Sequence, residues 1–125
     1  MTVGLAAATA NGFLDNFRNT AVSARTVYCK LHTGDPGSAA TANAGAVTTR
    51  NAVTWNAASS GSMTLSALSS YSMTTSETIT HISLWDASSA GNFLQSAALT
   101  ASVPVINGST LSFSSLTLSF TPLAA

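Results

Sequence analysis

Charge is what this sequence has least of. Four Lys or Arg and four Asp or Glu residues make up 6% of 125, where an ordinary globular chain carries roughly 25%. The formal net charge is zero, so the basic footprint that nucleic-acid binding requires is missing and no nucleic-acid partner is expected. A neutral surface resists association poorly. The composition therefore suits a subunit fixed in an assembly, a homo-oligomer, better than a concentrated free monomer. Cys29 is the only cysteine, which excludes an internal disulfide and a cysteine metal cluster. No apolar run approaches the ~20 residues of a membrane-spanning helix, so no membrane partner is expected. The opening MTVGLAAATANGFLDNF has no basic leader and breaks its apolar run at Asn11 and Gly12, so no signal peptide is expected.

What is present is apolar and β-prone. Hydrophobic residues are 46% of the chain, enough to fold, and the length fits one core. Ala6, Ala10, Phe13, Leu14, Phe17 and Ala21 recur at helical spacing. Residues 1–24 are therefore expected to hold an amphipathic helix that packs on, or links to, a single β domain over residues 25–125. Val27, Cys29 and Leu31 then alternate with Tyr28, Lys30 and His32, the period of a strand. A Gly-, Ala- and Asn-rich excursion over residues 34–45 follows. Further strands are expected over residues 47–55, around Met63 to Ala67, at Tyr71 and Met73, over 79–86 and over 93–100. Val103 to Ile106, Asn107-Gly108 and Leu111 to Phe113 read as a hairpin with a type I′ turn. Pro104 suggests a sheet edge, and a break in phase at Ser114-Ser115 suggests a bulge before the alternation of Leu116, Leu118 and Phe120. Seven or eight short strands with one leading helix predict a mainly β fold: an antiparallel β-sandwich or jelly-roll-like barrel.

Few residues could carry chemistry. LHTGDPG, residues 31–37, looks most like a site, but a phosphate loop would need a Lys-Ser/Thr and a following helix. Asp35-Pro36-Gly37 is instead a turn former. Asp35 with Asp86 is the available carboxylate pair for glycoside cleavage, with no local motif to support it. Ser, His and Asp occur without a nucleophile elbow, and His32-x-x-Asp35 is the only close pair of metal-ligand types. No catalytic residue, metal or cofactor is expected, and the protein is not expected to be an enzyme. Arg50, if buried beside the sheet, would clamp against Asp35 or Asp86; otherwise it is an exposed strand arginine. Trp55 and Trp85 suit a core or subunit interface, with sugar stacking as the alternative. Phe13, Leu14 and Phe17 form a helix face that either covers the sheet or inserts into a neighbour. These five are the candidate assembly contacts.

Several segments together carry a resemblance: VYCKLHTGDPG, the loop SAATANAG, TTRNAVTW, TITHISLWDASSAGNFLQSAALT and the closing SLTLSF. In this order, over nearly the whole chain, they resemble a family of small tailed-bacteriophage virion proteins described variously as tail-fibre, minor tail or head-decoration proteins. The Ala- and Thr-rich form with LHTGDPG is most similar to those of actinobacterial phages. Asp35-Pro36-Gly37, Arg50-Asn51-Ala52-Val53 and His81-x-x-Leu84-Trp85 match the recurring motifs. The resemblance implies a non-enzymatic virion structural protein, made in the host cytoplasm, with the major capsid protein or other virion proteins as partners. Decoration of the capsid exterior is the first expectation. The alternative is a minor tail or tail-fibre protein whose aromatics touch host-surface carbohydrate.

Overall fold

A computed structural model describes residues 3–21 and 24–119. Among them one helix and nine strands follow in the order β1 (Gly4–Leu5), α1 (Ala7–Asn16), β2 (Val27–His32), β3 (Asn51–Trp55), β4 (Ser62–Leu68), β5 (Tyr71–Ser72), β6 (Glu77–Trp85), β7 (Phe93–Val105), β8 (Thr110–Leu111) and β9 (Thr117–Ser119). Seven strands form one antiparallel sheet in the order β1-β7-β6-β2-β3-β4-β9, and β5 pairs with β8 apart from it. The fold is mainly β, as the alternation predicts.

The helix is shorter than the apolar spacing suggests. It stops at Asn16, and Ala21 lies beyond it. Asn19 takes a left-handed φ of 62°, and the amides of Asn19 and Thr20 turn back to the carbonyls of Asn16 and Asp15. That closure uses up the last free carbonyls and ends the helix.

Register decides which side chains share a face. Cys29 pairs with Leu84 and Leu31 with Ile82, Val27 with Val53, Trp55 with Leu65 and Met63 with Leu118. All these point inwards. The sheet curls around them until its two ends, Leu5 of β1 and Leu118 of β9, line one cavity. The result is an incompletely closed barrel. At one end Leu31, Ile79 and Ile82 meet Tyr71, Met73 and Leu111, and the β5–β8 pair closes the core. The other end is crossed by α1, held to the sheet through the 2.8 Å bond from the Ala6 amide to the Leu94 carbonyl.

Two local expectations are corrected. The strand expected over residues 47–55 begins only at Asn51. Asn107-Gly108 does not make a type I′ hairpin: only Gly108 has positive φ, 87°, and the Ser109 amide bonds to the Ile106 carbonyl, the geometry of a type II turn. The Gly108 amide bonds to the Met73 carbonyl, and the chain leaves β7 to pair with β5 instead of folding back. β7 itself is one strand of 13 residues where two were expected, bent where Leu99 to Ser102 face only Thr80 of β6. Pro104 lies where β7 has a described neighbour on one side only, so its missing donor is tolerated. After β8 the chain bends at Ser114 before β9, and Phe120 lies outside the described residues.

Candidate functional site

The LHTGDPG segment is a strand end and a turn. The Asp35 Oδ1 accepts a 2.9 Å hydrogen bond from the Gly37 amide, and Gly37 has a φ of 76° that other residues rarely adopt. The Asn43 side chain donates to the Asp35 carbonyl at 2.8 Å, and the Ala42 amide to the Pro36 carbonyl at 3.0 Å. The loop so formed folds back over the outer face of the sheet and buries Pro36 and Ala40.

Beneath this loop lies a polar chain that no sequence motif announces. His32 and Ser83 are both fully buried. The His32 Nδ1 is 2.9 Å from the Ala42 carbonyl, which can only accept, so Nδ1 carries the proton. The His32 Nε2 is 2.8 Å from the Ser83 Oγ, and burial holds the histidine below its ordinary pKa, hence neutral. Ser83 therefore donates to Nε2 and accepts a 2.8 Å bond from the Trp85 indole. Every polar group in the chain is satisfied with one consistent direction. The pair has the spacing of a serine nucleophile and its base, yet neither atom reaches solvent, and neither residue lines a cavity described here.

Asp35 and Asp86 do not converge. Asp86 follows Trp85, which pairs with Tyr28 near the start of β2, whereas Asp35 follows the end of β2. The length of that strand, roughly 20 Å at 3.3 Å per residue, separates them, against the 5–9.5 Å or so that a glycosidase pair needs. Asp86 is instead committed to Asn92, accepting from its amide at 2.6 Å and its side chain at 2.9 Å. These bonds hold its carboxyl below the ordinary range. Among the described residues no three His, Cys, Asp or Glu side chains gather as a metal set.

Arg50 clamps that same loop by donating to its carbonyls, with the Asp86 charge acting on it through space. It donates to the Ala90 carbonyl at 2.6 Å and the Ala87 carbonyl at 3.2 Å, with its guanidinium 3.8 Å from the Trp85 ring centroid, a cation–π contact. Trp85 also packs on Phe93 and is 8% exposed, so it anchors structure and offers no open stacking face.

The open end of the barrel is hollow. Two adjoining cavities of about 270 Å³ each share Leu5, Phe13, Met63, Gln95 and Leu118. Trp55 and Thr9 line one of them, and the Trp55 Nε1 and Thr9 Oγ1 are buried without a hydrogen-bond partner. Above them Phe13, Leu14 and Phe17 are 43%, 65% and 91% exposed. Spacing alone identified these three and Trp55. It missed Leu5 and Thr9, which lie in the N-terminal segment, and Met63 and Leu118, whose inward faces the alternation marks but whose meeting depends on the curl.

No curated protein matches the chain. The strands and turns run in order over nearly the whole chain, and so does the match to a family model: described as podophage GP4 fiber I protein gp80, it covers residues 4–121, and the chain belongs to that family of phage fibre proteins.

Proposed function

We propose that the protein is a non-enzymatic structural subunit of a phage virion, placed in a tail fibre. The observation that carries this reading is the family match over residues 4–121. The description of that family is a fibre protein's, which favours the tail alternative over the capsid-exterior decoration first expected with the resemblance. The chemistry supports it independently. The His32–Ser83 pair is sealed under the loop after β2, Asp35 and Asp86 lie apart, and Arg50 donates to backbone carbonyls. The partners in this reading are other virion proteins, with host-surface carbohydrate secondary because Trp85 is covered. The Ala- and Thr-rich LHTGDPG form supports a phage of actinobacteria as the source.

The experiment is quantitative mass spectrometry of purified particles with electron microscopy of the same preparation. A handful of copies per particle with density on the tail is the expected result. Hundreds of copies on the head would return the protein to capsid decoration, and its absence from particles would end both readings. Attachment by such uncharged surfaces should also survive a high-salt wash.

A further inference from the structure

The chain contains eight asparagines, and two of them, Asn11 and Asn107, precede a glycine. An asparagine in that setting can react with its own backbone, because glycine has no side chain to shield its amide nitrogen. That nitrogen attacks the asparagine Cγ. The new N–Cγ bond forms, the bond from Cγ to the side-chain nitrogen breaks, and ammonia leaves with the amide proton. Water then opens the resulting succinimide ring at either carbonyl, leaving an aspartate or an isoaspartate. Local surroundings make the two sites alike. Asn11 and Asn107 are both exposed, and a Cβ placed on Gly12 or Gly108 would meet nothing within 4 Å. Among the described residues no hydrogen bond engages either side-chain amide, whereas those of Asn43, Asn51, Asn56 and Asn92 all donate.

What differs is the hold on the attacking nitrogen. The Gly108 amide donates to the Met73 carbonyl at 2.8 Å, and the Met73 amide to the Ser109 carbonyl at 2.8 Å. These bonds join the turn to the closed end of the barrel, where Met73 is 2% exposed and Tyr71 and Leu111 are buried. Freeing Gly108 therefore means peeling the β5–β8 region from the core. The Gly12 amide is held by its place in α1, where each amide bonds four residues back. None of the ten residues of α1 is buried, and no side chain caps its first turn. A helix so short, with a glycine in its interior, has little stability of its own. It is tied to the sheet through the bond from the Ala6 amide to the Leu94 carbonyl, and it lines the cavities with Thr9 and Phe13. Local opening is cheaper at Gly12 than at Gly108.

We propose that Asn11 is a site of spontaneous deamidation gated by the opening of α1, while the same dipeptide at Asn107 is protected by the closed end of the barrel. The substrate is the chain itself, and water is the only co-reactant. The change runs one way. An isoaspartate at position 11 routes the main chain through the former side chain and adds an atom to the backbone in the middle of α1, so the helical bonds that span that point cannot re-form. Either product also adds a carboxylate to a chain whose formal net charge is zero.

Peptide mapping by mass spectrometry tests it, following both sites over time in the purified full chain, once native and once in urea. In urea the two should react at similar rates, because the dipeptide is the same. In the native chain Asn11 should react at least about 10-fold faster than Asn107, the gap opened by the two hydrogen bonds and the buried methionine that hold Gly108. Ala6→Asp supplies a side-chain cap where α1 has none. It should slow the reaction at Asn11 about fivefold and leave Asn107 unchanged. The native and urea comparison on the wild type needs no variant to fold. No reaction at Asn11 in the native chain, equal native rates at the two sites, faster loss of Asn107, or a clear difference between them in urea would each overturn the proposal. So would a folded, capped helix in which Asn11 reacts no more slowly.

Discussion

The two ends of the barrel are built from the same strands and the same alternation, yet they differ in what crosses them. At the closed end Leu31, Ile79, Ile82 and Tyr71 are fully or almost fully buried. The β5–β8 pair covers them with its own backbone hydrogen bonds, and the Tyr71 hydroxyl donates to the Cys29 carbonyl at 2.6 Å. At the open end Met63, Trp55 and Leu118 are only partly buried, two polar atoms lack partners, and a ten-residue helix lies over the gap. The difference teaches that inward-facing alternation is only half of a core. The other half is a lid whose own polar groups are satisfied, and only one end has it. Folding stability should therefore concentrate around Tyr71, leaving the helix end the weaker of the two.

The largest test of this contrast pairs Ile79→Ala with Met63→Ala. The first should cost about 3 kcal/mol by urea unfolding, as a filled core site does, and the second ~1 kcal/mol or less. Equal losses would show that the open end is packed as firmly as the closed one. His32→Ala comes next, at roughly 2 kcal/mol, because it strands the Ala42 carbonyl and the Ser83 hydroxyl in the interior. It also carries a pH signature. Burial lowers the folded-state pKa of His32 from 6.5, so its contribution is whole above pH 6.5. Below that the unfolded chain takes up the proton first, and stability falls as pH drops through the folded value. The acid slope should vanish in the variant. On the alkaline side, burial raises the Cys29 thiol from 9.0 to about 11 and raises the Tyr71 hydroxyl. The Cys29 contribution holds below pH 9.0 and is lost as pH rises towards 11; that of Tyr71 holds below pH 10.0 and falls as pH rises above it.

Tyr71→Phe should cost about 1 kcal/mol, the worth of one buried hydrogen bond, and soften the alkaline loss. The smallest effect has the opposite sign. Trp55→Phe removes an indole N–H that has no partner and should be neutral or stabilising by up to ~1 kcal/mol. A clear destabilisation would mean that the indole is satisfied in solution.

The parts of this fold that could be read from the sequence are those decided within a few residues. Asp35, Pro36 and Gly37 make their turn from their own φ preferences and one side-chain bond, β2 follows from its alternation, and β6 from a β-prone run bounded by the polar loop ASSAGN. Asn107-Gly108 misled because its turn type is set from outside, by the Met73 carbonyl that captures the Gly108 amide. The helix misled because apolar spacing runs on past Asn19, where a left-handed residue ends it. Arg50 could be picked out as one of four cations, but not its carbonyl partners, which exist only once the loop after β6 is folded. Ser83 gave no signal at all: serine is common in this chain, and its importance comes from a loop covering the outer face of the sheet.

The Trp85 indole, the Ser83 hydroxyl and the His32 ring also make an optical device. A proton added at Nε2 turns His32 from acceptor to donor, so the Ser83 oxygen would face two donors and its own hydrogen would lose its place. The indole at the far end must respond, and its emission should shift. The chain has two tryptophans, and with Trp55 replaced by Phe the one that remains is a fluorophore wired to a buried proton. It would report the ionisation of the core without any added label.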